Sequence, residues 1–248
     1  MKATGKAARR GRPVKTTVVQ DAQERILNAA EDHFSKRGLY GVTIREVARQ
    51  AKVDTALLHY YFGTKRGLFD AVFRRRAQAI NTQRINSLNE YAVAAAGKIS
   101  VEGAIEAFTA PVLKMAATGD SGWQNYFALL AQVNNTPAWG GETMTRYFDP
   151  VIQRLIEVVR PALPGADEKD LYWSYHFLSG ALTLTLSQTG RIDRLSAGLC
   201  RSDDFHAIHE RMVPFIASGF RAVCAPASAS TVARKGKGPG RAATAKRR

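Results

Sequence analysis

Apolar residues recur along the 248-residue chain at three- and four-residue spacing, and no run alternates apolar with polar positions between hairpin turns. The pattern predicts an all-α protein. Ile26, Leu27, Ala30 and Phe34 form a first stripe behind Asp21-x-x-Glu24, a spacing at which each side chain can satisfy an orphan N–H at a helix start. Gly38 and Gly41 close that helix. Thr43-x-x-Glu46 repeats the spacing and opens a short helix with Ile44, Val47, Ala48 and Ala51 on one face. Asp54 is placed to cap a helix over 55–62, and Thr64 a longer one bearing Leu68, Phe69, Val72, Phe73, Ala79 and Ile80.

Beyond residue 98 the elements lengthen, with helices predicted over 101–116, 121–134, 142–159, 168–189 and 203–223. Pro111, Pro150 and Pro214 fall inside three of them, which predicts kinks or interruptions. The organisation expected is a basic arm over 1–19, a three-helix unit over 20–66, a connecting helix over 67–97, a larger helical domain over 98–224, and a basic tail over 225–248. The segment 171–190 has no formal charge, but Ser174, His176, Ser179, Thr183, Thr185, Ser187 and Gln188 make it too polar for hydrocarbon. A helix buried in protein is expected there, and no membrane partner.

The stretch from Thr43 to Phe69 concentrates the candidate chemistry. Two short helices joined by Ala51, Lys52 and Val53, with a third packed on both, make a helix-turn-helix, whose second helix enters the DNA major groove. In a helix of two turns Leu58 and Phe62 can anchor inward, leaving Thr55, Ala56, His59 and Tyr60 along the outer face. The Ala56 methyl suits a thymine methyl, His59 can donate to bases or phosphate, and Tyr60 can hydrogen-bond phosphate. His59 to Phe62 alone would read as ordinary core, and Tyr61 and Leu57 suit core packing as well as DNA contact. Taken together, residues 20–75 resemble the DNA-binding domain of the TetR family of bacterial repressors. The resemblance rests on Phe34, Gly38, Thr43, Val47-Ala48, Val53, the aromatic run to Phe62, Lys65 and Leu68-Phe69. It implies DNA contacts from Thr43 and Arg45, from Thr55, Ala56, Leu57, His59 and Tyr60, and from Lys65. Lys52 stands where the family usually has Gly, and His59 where Tyr is commonest.

Charge adds a partner class. Thirty-six Lys and Arg against 21 Asp and Glu give a formal +15, which favours a polyanion. Six basic and no acidic residues lie in 1–20, seven and none in 226–248, leaving 23 basic against 21 acidic between. The excess therefore sits in two tails whose Ala, Gly, Ser and Pro content is too poor in apolar surface to fold. Arg9-Arg10-Gly11-Arg12-Pro13 is similar to the core of an AT-hook, with Arg10 and Arg12 as candidate minor-groove readers; a solvated arm that only attracts phosphate is the plainer reading. Cys200 and Cys224 have no C-x-x-C partner and no secretory segment precedes them, so a reduced, cytoplasmic chain is expected. His206-x-x-His209 lacks further ligands for a metal, and the Gly-rich 236–240 lacks a phosphate-loop ending, so no cofactor is expected.

The family resemblance further implies a homodimer on a palindromic double-stranded operator. Leu171, Tyr175, Leu178, Leu182 and Leu186 on one helix and Phe205, Ile208, Met212, Phe215, Ile216 and Phe220 on the last are the candidate dimer stripes, each also suited to its own domain's core. Met115, Trp123, Tyr126, Phe127, Leu130, Trp173, His176 and Phe177 are the candidate lining of a pocket for a small apolar effector; the C-terminal region also resembles TetR-family regulators of fatty-acid or aromatic catabolism, which implies an effector of that kind. The expected protein is a ligand-responsive repressor. A DNA-compacting protein driven by its basic tails is the alternative, and no catalytic group supports an enzyme.

Overall fold

The computed structural model describes residues 15–226, and among them ten α-helices and no strand. They are α1 (Lys15–Arg37), α2 (Ile44–Ala51), α3 (Thr55–Phe62), α4 (Lys65–Ala94), α5 (Val101–Ala117), α6 (Ser121–Asn134), α7 (Gly140–Val159), α8 (Glu168–Leu186), α9 (Arg191–Leu195) and α10 (Phe205–Val223). Arg10, Arg12 and the tail beyond residue 226 lie outside the described residues.

Local signals fix the ends of the short helices. Thr43 and Glu46 form the expected capping box, Asp54 accepts from the Ala56 N–H at 2.7 Å, and Thr64 Oγ1 accepts from the Gly67 N–H at 3.0 Å. The Asp21-x-x-Glu24 spacing misleads: α1 begins upstream at Lys15, taking in part of the expected arm, and Asp21 sits mid-helix in an ion pair with Arg25 at 2.6 Å. Residues 187–189 lie past the end of α8, and the short α9 was not expected. None of Pro111, Pro150 and Pro214 ends its helix. On α4 it is Ala77 rather than Ala79 that is buried.

Ile26, Phe34, Val47, Leu58, Leu68 and Phe69 close the core of the first three helices, with Phe34 and Phe69 edge to face at 5.3 Å. The corner from α3 to α4 demands glycine, because a Cβ on Gly67 would lie 2.2 Å from the Phe62 carbonyl oxygen. From that corner α4 runs for 30 residues, about 45 Å at helical rise, and buries Phe73, Ile80, Arg84 and Leu88 in the larger domain. α5 packs against α4 and α10, α7 against α4, and α6 lies between α1 and α8. The first three-helix unit and the larger domain therefore share two joints, α4 itself and the face between α1 and α6.

Candidate nucleic-acid interface

The turn between α2 and α3 closes as a Schellman motif: the Val53 N–H donates to the Ala48 carbonyl at 3.1 Å and the Lys52 N–H to Arg49 at 3.3 Å. That geometry puts Lys52 at φ 56, ψ 50, the left-handed conformation for which glycine is the unstrained residue. Lysine adopts it at a cost and leaves its ammonium exposed beside the groove-facing helix.

Leu58 is the single buried residue of α3, 1% exposed, and it fixes the helix's rotation. Ala56, His59 and Tyr60 consequently point outward, Tyr60 being 81% exposed, while Thr55 is half-buried at the helix start. Leu57 is half-buried and packs on the core, as does Tyr61, the packing role that the sequence allowed for both. His59 Nδ1 lies 2.9 Å from the Gly63 carbonyl oxygen. A carbonyl can only accept, so Nδ1 carries a proton in this contact and Nε2 is left for the outward face.

Around this rod Thr43 and Arg45 are exposed at the start of α2. The Thr43 hydroxyl is already engaged, donating to Glu46 Oε2 at 2.7 Å and accepting from the Glu46 N–H. Glu46 also accepts from Arg37 Nη1 at 2.7 Å, and that guanidinium, with the two Thr43 donors, lowers its carboxyl from the usual 4.5 to about 2. Lys65 Nζ donates to the Val42 carbonyl at 3.0 Å, which holds the ammonium at the entrance to α2 with two N–H donors to spare. Lys65 is thereby brought beside Thr43 and the start of α2.

The larger domain redistributes the other candidates. Tyr126, Phe127 and Leu130 do line a partly open cavity of about 30 Å³, together with Arg84, Phe108, Tyr175 and Met144. Met115 and Trp123 are half-buried but outside that lining. Trp173, His176 and Phe177 are exposed on the outside of α8 and line no cavity. The dimer stripes are corrected in the opposite sense. Leu171, Leu178, Leu182, Leu186, Met212 and Ile216 are buried in the chain's own core, and Tyr175, Phe205 and Ile208 are half-buried against it. Phe220 is buried too, and of the α10 stripe only Phe215 faces outward, 75% exposed; on α8 the outward face carries Trp173, Phe177 and Leu184 instead, 57% exposed at Phe177. α8 is apolar on both sides, so periodicity could not say which stripe its own domain would take. Arg84 escaped notice because an isolated arginine in a helix ordinarily reads as solvated.

Among the described residues no helix is long and apolar enough to cross a membrane, and no cluster of three or more metal-ligating side chains occurs. A short outward-facing second helix, braced on a buried leucine and rimmed by cationic and hydroxyl groups, defines a helix-turn-helix DNA-binding regulator. Comparison with known proteins agrees. Residues 26–72 match the family model for bacterial regulatory proteins of the tetR family, and 106–219 that for a tetracyclin repressor-like C-terminal domain. The chain belongs to the TetR family of transcriptional regulators. It is 44% identical over 48 residues to the HTH-type transcriptional regulator HbdR of Aromatoleum sp. (strain CIB), 19% of this chain and 21% of that one. It is 36% identical over 75 residues to RutR of Escherichia coli (strain K12), 30% and 32% of the two chains. These curated relatives are therefore matched over a third of their length or less. The fold matches that of FadR from Bacillus subtilis in complex with stearoyl-CoA, TM-score 0.58 and 13% identity over 79% of this chain and 98% of that one.

Proposed function

We propose that the protein is a ligand-responsive repressor that binds a palindromic operator as a homodimer and leaves it when a small molecule with an apolar body enters the larger domain. The observation that carries this reading is the face of α3: Ala56, His59 and Tyr60 exposed together on a helix whose rotation Leu58 fixes. Contacts to base edges need such a face, whereas attraction through basic tails does not. One α3 reads few base pairs, so a dimer with its two recognition helices about 34–36 Å apart supplies the rest of the site. The outward apolar faces of α8 and α10 suit that pairing. A Cβ at Gly180 or Gly219 would meet nothing within 4 Å, so a second copy can approach closely there.

α6 supports the response to ligand. On one side it contributes Tyr126, Phe127 and Leu130 to the cavity. On the other it holds α1, through Ser35 Oγ with Asn125 Oδ1 at 3.0 Å and through Gln132 Nε2 donating to the Ser35 carbonyl at 2.6 Å. A ligand that displaced α6 would tilt α1 and, with it, the spacing of the recognition helices. A coupling of about 1–3 kcal/mol suffices for a 5- to 150-fold change in operator affinity. Footprinting of the full chain over the DNA upstream of its own gene, against random duplex competitor, tests the reading. Protection of a two-fold symmetric site is expected; binding that random duplex competes away equally well would replace the reading with the tail-driven one.

A further inference from the structure

The geometry points to an effector that is an anion, a carboxylate with an apolar body, whose carboxylate is held by Arg84 and Tyr126. This deepens the ligand-responsive reading and rests on it. Arg84, on α4, is 6% exposed and lines the cavity. Its Nε donates to the Phe108 carbonyl at 3.1 Å, and its guanidinium lies 3.6 Å from the centre of the Phe108 ring. Among the described residues those contacts account for one of its five N–H donors, no carboxylate lies within ion-pair distance, and the terminal nitrogens keep some exposure at the cavity. Burial lowers its pKa to about 10, so the group remains charged at neutral pH. The hydroxyl of Tyr126, a residue 1% exposed, lies buried in the same lining with no hydrogen-bond partner among the described residues. Burial also pushes this phenol above its ordinary pKa, so it stays a donor.

A buried cation without a counter-ion and a buried O–H without an acceptor are both costly, and groups of this kind are ordinarily paired. One ligand group satisfies both. A carboxylate accepts two parallel N–H bonds from a guanidinium and has lone pairs left for a phenol. A neutral amide, alcohol or thioester carbonyl would leave the charge uncompensated. The rest of the lining is apolar, including Val112, Leu130, Met144 and Phe148, and suits the body of the acid. At about 30 Å³ the cavity has room for little more than the head group. A longer body either extends through the open side or pushes aside α6 or α8, which Asn134 Nδ2 and Thr183 Oγ1 tie together at 3.0 Å at the cavity's edge. Where α6 yields, seating the acid displaces the helix that grips α1.

The test is thermal unfolding and calorimetric titration of the full chain with straight-chain carboxylates from acetate to decanoate, benzoate and phenylacetate, beside the matching amides and hexanoyl-CoA. At least one acid is expected to bind saturably and raise the melting temperature, with its amide at least about 30-fold weaker. Arg84→Met should lose the acid by a similar factor yet melt no lower than the parent when ligand-free, because an unpaired buried charge has been removed. Tyr126→Phe should weaken the acid about 5- to 10-fold. No saturable acid, an amide or hexanoyl-CoA that binds as well as the best acid, or unchanged acid affinity in Arg84→Met would each overturn the proposal. The acid-against-amide comparison needs no variant to fold. Operator binding by ligand-free protein reports separately on the regulator reading, so the two can fail independently.

Discussion

Glu31 joins the DNA-binding unit to the rest of the molecule. Its carboxylate is 4% exposed and accepts from Arg75 Nη2 at 2.5 Å and from Arg76 Nε at 3.0 Å and Nη2 at 3.3 Å. Arg75 reaches on to Glu24 and Asn28 of α1, while Arg76 lies over the Trp123 ring of α6, 5.0 Å from its centre. Glu31→Gln keeps the volume and one acceptor but removes the only carboxylate that these two arginines share. Breaking a fully buried pair costs about 3–5 kcal/mol. Here both arginines remain roughly one-fifth exposed, so water recovers part of the loss and about 2–4 kcal/mol is expected. At about 2–4 °C per kcal/mol for a chain of this size, the melting temperature should fall by about 4–16 °C. Denaturant titration of the parent, Glu31→Gln and Glu31→Gln/Arg76→Gln measures it, and the second substitution should restore part of the loss because it removes a cation left with only the distant Asp120 carboxylate, 4.0 Å away. A single variant within 1 kcal/mol of the parent would show that the network contributes little, and that α1 is held on α4 by apolar contact alone.

The remaining predictions concern the joints and the faces. Ser35→Ala/Gln132→Ala removes two hydrogen bonds between α1 and α6, each worth about 0.5–1.5 kcal/mol, so anisotropy with an operator duplex should show DNA binding retained but most of the effector response lost. An undiminished response would remove α6 from the mechanism. Glu46 stabilises the start of α2 fully above its unfolded pKa near 4.5, and that contribution should fade as pH falls through its folded value of about 2. Melting temperatures of parent and Glu46→Gln should therefore differ at neutral pH and converge near pH 2. Phe177→Asp puts a charge on an outward face without touching the core, so sedimentation should report a shift toward monomer and footprinting a loss of the symmetric site at unchanged helicity. A dimer that survives it would place pairing elsewhere.

The helix-turn-helix was legible in the residues because its information is local. Thr43, Asp54 and Thr64 cap helices within three residues of themselves, and two turns of helix with one anchoring leucine leave a single choice of outer face. Lys52 was legible as a departure, though only the Schellman turn shows that it takes the left-handed conformation. The larger domain could not be read in this way. Leu178 and Phe177 are adjacent on a helix apolar all round, and which of them meets the core depends on where α6 and α10 lie, partners far away in sequence. Arg84 and Tyr126 are separated by more than forty residues, and their meeting at one cavity follows from α4 passing beneath α5 and α6. Periodicity determined that helices form and carry apolar stripes, since hydrogen bonds and caps act over one turn. Which stripe is inside, and which charge is left without a partner, only packing decided, because burial belongs to the space between helices.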